Sequence, residues 1–443
     1  MFGVLEGPML AVTFFLTLAM TVLLTAKYKI HAFIAILTAS LAFGLLAGIK
    51  PADIAGLAVD GAGKSLGYIS LIVLFAMIIG EFLESTGSAL TISRTVTQIV
   101  GIRRAPVAMA LSGFMIAVPV MCNDTAFIIM APVAQALALG TGFQQSTLLI
   151  ALAAGAYTSF KLIFPAAPLY PATVFGADAG KVLMLGLVTS VPVFLIGLIW
   201  ALKFSGARQQ PNSEHHPPNE TGTLKPPSPL LSFMPVLLPI TLILAQTLLR
   251  NRLPTGAALD LLDFMGNPVV ALLTGVISAL AIASRKASSS DLTESVSNGI
   301  RRAAPILAIV GAGGAFGKII EVTAVGTYLG KSILTSGFPS ILVPFLVAAA
   351  IKTAQGSSMV TMVTAPTIVL PLLPSLGISP VVAAMALSAG ALVCVNINDS
   401  FFWVVTGVAK MDTSSGLRTL TLLSIIQGIV ALTVIALVGG YFA

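Results

Sequence analysis

The stretch Ser205–Pro229, SGARQQPNSEHHPPNETGTLKPPSP, is the only long hydrophilic run in a chain of 443 residues. Proline and polar residues dominate it, so it cannot bury a core and reads as a linker. It separates two nearly equal parts, residues 1–204 and 230–443. Outward from it, in both directions, the sequence turns apolar. Residues 8–26, 30–49, 182–202, 231–249, 267–284 and 419–441 carry no Asp, Glu, Lys or Arg, and each run approaches the roughly 20 residues that a spanning helix needs. Overall, 57% of residues are apolar and 9% are charged, against about 25% charged in a soluble protein. The mean hydropathy is +1.01. A membrane barrel would alternate apolar and polar residues over about ten positions, whereas these runs are long and unbroken. The reading is an all-α polytopic membrane protein. Glu6 and no basic residue precede the first run, so 8–26 reads as a retained helix rather than a cleaved signal.

Sliding the second part over the first at an offset of 234 to 237 residues brings like patterns together in the same order. His31–Leu37 falls over Asn267–Leu273, and Gly80-x-Phe-Leu-Glu84-x-Thr86 over Gly317-x-Ile-Ile-Glu321-x-Thr323. Ala131-Pro132 falls over Ala365-Pro366, and Ala154-Gly155-Ala156 over Ala389-Gly390-Ala391. Charge then orients the halves, because Lys and Arg collect in cytoplasmic loops. With the N-terminus outside, Lys27, Lys29, Arg94, Arg103, Arg104, Lys203, Arg208, Lys225, Arg285, Lys286, Arg301, Arg302, Lys410 and Arg418 face inward, fourteen in all. Six face outward: Lys50, Lys64, Lys181, Arg250, Arg252 and Lys331. The halves are then inverted repeats, with both termini periplasmic and the linker cytoplasmic, an architecture built for alternating access. The formal charge of +7 reflects this loop bias, so no nucleic acid partner is expected.

Four segments interrupt the apolar pattern with polar residues at membrane depth. They are Pro119-Val-Met-Cys-Asn-Asp-Thr125, Thr158-Ser-Phe-Lys-Leu-Ile-Phe-Pro-Ala-Ala-Pro-Leu-Tyr-Pro171, Lys352-Thr-Ala-Gln-Gly-Ser-Ser358 and Val395-Asn-Ile-Asn-Asp-Ser-Phe-Phe-Trp403. Non-helical backbone at that depth is tolerated only inside protein or along a watery cavity, so these segments predict broken helices and re-entrant hairpins. Free N–H groups at half-helix starts favour an anion, and unwound carbonyls suit a cation or a proton-linked group. Asp124 and Asp399 would each cost about 2.5–3.5 kcal/mol at a lipid-facing helix centre and must face the interior. Each can cap a broken helix, carry a coupling ion, or do both. Lys161 can hold an anion or snorkel to the interface; the anion is favoured. The candidate substrate-binding set is Asn123, Thr158, Ser159, Lys161, Gln355, Gly356, Ser357, Ser358, Asn396, Asn398 and Ser400, with Asp124 and Asp399 for coupling. Some of these satisfy only unwound backbone.

The remaining polar signals point to structure. His31 and its counterpart Asn267 each begin an apolar run and read as helix caps, in preference to a proton relay. Glu84 and Glu321 read as structural or interfacial, with Lys318 near Glu321. His215 and His216 sit in the linker without further ligands. Cys122 and Cys394 are the only cysteines, and no metal-ligand spacing surrounds them. Gly311-Ala-Gly-Gly-Ala-Phe-Gly-Lys318 lacks the G-x-x-x-x-G-K-[ST] spacing of a phosphate loop, so neither ATP nor another cofactor is expected. A membrane-embedded enzyme would need a nucleophile with a base or a metal set, and His31 is the only histidine outside the linker. A passive channel would differ from a transporter by failing to concentrate solute.

Gly311-Ala-Gly-Gly-Ala-Phe-Gly317, Ala354-Gln-Gly-Ser-Ser358 followed by Thr364-Ala365, and Asn398-Asp-Ser-x-Phe-Trp403 resemble the signatures of the gluconate permease family of the ion transporter superfamily. The resemblance runs through essentially the whole chain. It implies a proton-coupled symporter for gluconate-like sugar acids in the bacterial inner membrane; some relatives take other small hydroxy acids or D-serine. It also implies a scaffold part and a transport part with paired hairpins, often as a dimer. Three positions depart from the family's pattern. Lys161 stands where a histidine usually precedes a P-P-x-P-G-P run, here Pro165-Ala-Ala-Pro168-Leu-Tyr-Pro171. Val395-Asn396 replaces Ser-His, and Asn123-Asp124 is displaced by one residue from the usual P-V-F-F-D. A permanent cation at 161 suits an anionic substrate and weakens a proton relay there. The reading is proton-coupled uptake of a small hydroxylated carboxylate; sodium coupling remains the alternative, since carbonyls, serines and asparagines around one carboxylate also hold that ion.

Overall fold

The computed structural model describes residues 7–28, 30–204, 227–250, 252–285, 287–323, 325, 328, 337–397 and 399–442. Most of the linker, with His215 and His216, and the site candidate Asn398 lie outside the described residues. No strand occurs among the described residues. The first half runs α1 (Gly7–Ala26), α2 (Ala32–Leu46), α3 (Pro51–Ser85), α4 (Ser88–Val100), α5 (Ala105–Val120), α6 (Asn123–Thr141), α7 (Gln145–Leu162), α8 (Leu169–Val174) and α9 (Ala179–Phe204). The second runs α10 (Pro229–Leu249), α11 (Ala257–Gly266), α12 (Pro268–Ala283), α13 (Ser289–Glu321), α14 (Leu342–Gln355), α15 (Ser358–Val369), α16 (Pro380–Gly390), α17 (Ser400–Val408) and α18 (Leu422–Val438).

Five described helical stretches are long and apolar enough to cross a bilayer: 102–120, 179–203, 229–249, 289–321 and 413–442. Two sharply bent pairs add candidate broken spans, 70–85 with 88–100 at 75° and 257–266 with 268–283 at 69°. Helix starts obey local chemistry. His31 Nδ1 accepts the Phe33 N–H at 3.3 Å and Asn267 Oδ1 accepts the Val269 N–H at 3.0 Å, so both repeat-related positions cap their helices. Ser288 and Asp291 form a capping box at the start of α13, which satisfies two donors that a helix N-terminus otherwise leaves free.

The packing repeats as the sequence does. The long helices α3 and α13 lie against each other with Gly61 over Gly314 and Gly299 over Ile78, so they run antiparallel. The offset of 237 that relates Gly80 to Gly317 carries Gly61 to within one residue of Gly299 and Ile78 to within one residue of Gly314. The two close approaches thus fall at corresponding positions of the two helices. Arg302 fastens the same pair of helices, with Nε 3.0 Å from Glu81 and Nη1 2.7 Å from Glu84. Glu84 thus serves the interface between halves, while Glu321 pairs locally with Lys318 at 3.2 Å.

A second pair of contacts repeats at an offset of 235. Gly155 of α7 sits on the main chain of Ala110 in α5, and Gly390 of α16 on that of Phe345 in α14. These helices are the innermost of each half: Thr147–Leu162 and Val381–Gly390 are buried throughout. A methyl at either glycine would meet backbone, which cannot swing aside, so overpacking of about 1–3 kcal/mol is expected. Gly155→Ala and Gly390→Ala should each lower the melting temperature of purified protein by several degrees, and by similar amounts, in a scan of detergent-solubilised protein.

Candidate functional site

The four polar segments all break helices. α5 and α6 meet at Met121-Cys122, and α14 and α15 at Gly356-Ser357. Met121 and Gly356 are repeat partners at an offset of 235, and both close their helix in the left-handed region, at φ 49° and 78°. Glycine adopts that conformation freely, whereas a residue with a Cβ is held there at a cost of about 1–2 kcal/mol. Met121 is fully buried, so surrounding packing holds it in place. In the other pair of breaks, α7 ends at Leu162 and α8 starts at Leu169, while α16 ends at Gly390 and α17 starts at Ser400.

The charged residues of these breaks converge. Asp399 caps α17 by accepting the Phe401 N–H at 3.0 Å, and its other oxygen is ion-paired with Lys352. Lys352 also donates to the Gly356 carbonyl at 2.6 Å, so one ammonium ties the second hairpin to α17. Asp124 lies in the first turn of α6, where a helix N-terminus favours an acid, and accepts a hydrogen bond from Ser400 Oγ at 2.6 Å. The first hairpin is thereby tied to the same helix, α17, from the other half.

Lys161 is placed differently. Its side chain is fully buried, so it does not snorkel, and its Nζ has no hydrogen-bond partner among the described residues. Its nearest company is aromatic, the Tyr157 ring at 5.5 Å and the Phe160 ring at 5.2 Å. Tyr157 in turn stacks on Phe401, with centroids 5.6 Å apart and planes at 8°, and Phe401 meets Phe127 edge-on at 6.0 Å. The Tyr157 hydroxyl donates toward the Ala391 and Leu392 carbonyls at 3.3 and 3.2 Å, at the freed end of α16, and Ser358 lies beside it. Lys161 feels the charges of Lys352, Asp399 and Asp124. Lys352 and Asp399 pair with each other, Asp124 has a hydroxyl, and Lys161 has ring faces but no hydrogen-bond partner among the described residues.

Other sequence candidates are already engaged. Thr158 Oγ1 donates to the Ala154 carbonyl at 2.7 Å and accepts from Gln427 Nε2 at 2.9 Å. Ser159 Oγ bonds back to the Ala156 carbonyl at 3.4 Å, and Ser357 Oγ caps α15 by accepting the Val360 N–H at 3.3 Å. Asn396 Nδ2 reaches Cys394 Sγ at 3.3 Å. Asn123 is buried at the start of α6, and Gln355 is the last residue of α14. A cleft of about 440 Å³, within the range of small-molecule sites, opens between Lys64, Asp178 and Asn267 on its walls and reaches Phe164 in the α7–α8 break. None of Asp124, Lys161, Lys352 and Asp399 lines it.

Three residues of the site went unassigned in the sequence. Lys352 opens one of the four polar segments, and its presence there was the available signal. Tyr157 precedes the polar Thr158-Ser159 pair, and Gln427 is the lone amide in the apolar α18.

Comparison with known proteins agrees with the architecture. A family model described as GntP family permease matches residues 9–439. Over 450 residues the chain is 30% identical to a gluconate permease of Pseudomonas aeruginosa, with 99% of each chain covered. Over 441 residues it is 30% identical to the D-serine transporter DsdX of Escherichia coli K12, covering 95% of this chain and 96% of the relative. Among solved structures, the YdaH transporter of Alcanivorax borkumensis shares the fold at a TM-score of 0.68, with 14% identity, 98% of this chain and 99% of that chain covered. A multi-span helical fold with broken helices and a family match over nearly the full length make this chain a membrane transporter rather than an enzyme, and it belongs to the GntP permease family.

Proposed function

We propose that the protein is a secondary active symporter that brings a small hydroxylated carboxylate, such as gluconate or a related sugar acid, inward with a proton across the bacterial inner membrane. The observation that carries this reading is Lys161, a fully buried lysine amine without a hydrogen-bond partner among the described residues, at a helix break. An amine buried there is charged at low cost only with an anionic partner, and a substrate carboxylate supplies one. The N-termini of α6, α15 and α17 add free N–H groups that favour the same charge. Asn123, Ser358 and Asn396 stand near these breaks to meet substrate hydroxyls. Asp399 is occupied as a cap and an ion-pair partner, so Asp124, held among the described residues by the Ser400 hydroxyl, takes the coupling proton. The loop charges favour periplasmic termini, a cytoplasmic linker and inverted halves.

D-serine is the second reading, favoured by that same Asp124 carboxylate, which would face the substrate ammonium while Lys161 faces its carboxylate. Competition between labelled gluconate and D-serine in proteoliposomes separates the two. Proton coupling is tested by acidifying the external medium without sodium, which should raise uptake. Asp124→Asn should keep substrate exchange across the membrane while losing accumulation against a gradient. Wild-type uptake by both Lys161→Ala and Asp399→Asn would overturn the site.

A further inference from the structure

Lys352 has no task in the uptake scheme, yet it is among the most enclosed charges in the protein. Its side chain is fully buried and Asp399 is 3% exposed. The ammonium bonds the Gly356 carbonyl at 2.6 Å and the Asp399 carboxylate. A carbonyl released at the end of a half-helix and a carboxylate from a second broken helix are hard oxygen donors, the set that holds sodium where transporter helices unwind. The end of α14 also favours positive charge through its dipole. A single positive charge belongs there, and the chain supplies it covalently. The first half has no such residue: the position 235 before Lys352 is Ala117, and Met121 stands at the position of Gly356.

We infer that Lys352 is a tethered cation that permanently fills an alkali-ion position between the α14–α15 hairpin and α17. The second half therefore binds no sodium, and any exchangeable coupling ion is confined to the Asp124 side. One ammonium neutralises one carboxylate as one sodium ion would, and it holds the hairpin and α17 together without needing to bind or leave. The inference rests on the transporter reading for its meaning, but the site can be tested without substrate.

The experiment is thermal unfolding of the purified full-length protein in NaCl and in choline chloride at equal ionic strength. Wild type should melt at the same temperature in both. Lys352→Ala exposes the oxygen donors and should gain about 3 °C or more in NaCl, in a saturable manner, because a ligand bound only by the folded state raises the melting temperature. Lys352→Ala/Asp399→Asn should lose the response. Lys352→Ser serves if the alanine variant does not fold, since its short hydroxyl leaves both the Gly356 carbonyl and the Asp399 carboxylate open to an ion. The inference is overturned if the folded single variants melt alike in both salts, or if wild type gains stability in NaCl and Asp399→Asn abolishes the gain. Should neither single variant fold, that wild-type comparison decides alone: equal melting upholds the inference. No substrate enters these measurements, so a failure of the sugar-acid reading would leave their outcome intact, and uptake assays would fail separately.

Discussion

Lys161→Met should make the protein more stable and stop it transporting. Methionine matches the length of the lysine stem and removes an amine that has no hydrogen-bond partner among the described residues. Leaving such an amine buried without a partner costs about 1–3 kcal/mol, and the Tyr157 and Phe160 ring faces at 5.5 and 5.2 Å return only part of it. The melting temperature is therefore expected to rise by several degrees. Uptake at low substrate concentration should fall by about 30-fold or more, since losing a desolvated charge partner costs roughly 2–5 kcal/mol of binding. The opposite signs separate a substrate-binding lysine from a structural one, which would lose stability and activity together. Paired melts and proteoliposome uptake on one preparation make the measurement.

The second large effect concerns the ion pair on the other side of the site. Lys352→Met leaves Asp399 buried and uncompensated, and Asp399→Asn leaves Lys352 so; removing either partner of such a pair costs about 3–5 kcal/mol. Lys352→Met/Asp399→Asn removes both charges, and asparagine still accepts the Phe401 N–H that starts α17. The double variant is expected to recover most of the lost stability, so that the coupling energy in a double-mutant cycle exceeds the loss in either single variant. A loss in the double variant equal to the sum of the two single losses would show that the two charges do not meet. Transport need not recover with stability, since the tie to the Gly356 carbonyl is gone as well.

Much of this architecture was legible in the chain. The hydrophilic run between the halves and the offset of 234 to 237 residues are patterns of composition and period, and packing keeps that period: Tyr157 touches Leu392, the residue 235 positions on. Asp124, Lys161 and Asp399 stood out because charge at membrane depth must have a reason to be there. What pairs with what was not legible. Lys352 and Asp399 are 47 residues apart, and no spacing rule joins them; only the folded breaks do. Nor could sequence tell which hydroxyls turn back on their own helix. Thr158 and Ser159 bond to carbonyls three or four residues earlier, a habit of Ser and Thr in helices, whereas Ser400 reaches across to Asp124 in the other half. Cap positions such as His31 and Asn267 were readable because capping is local.

Trp403 gives the protein an optical handle on this site. The chain contains two tryptophans. Trp200 donates to the Thr419 carbonyl at 3.0 Å, between α9 and the segment leading into α18. The half-exposed Trp403 donates to the Ile397 carbonyl at 2.8 Å and closes the turn that contains Asp399. Trp200→Phe would leave one indole in the molecule, hydrogen-bonded within the α16–α17 break. Its emission colour and quenching would then follow the opening and closing of that turn in real time, with no attached dye and no engineered cysteine.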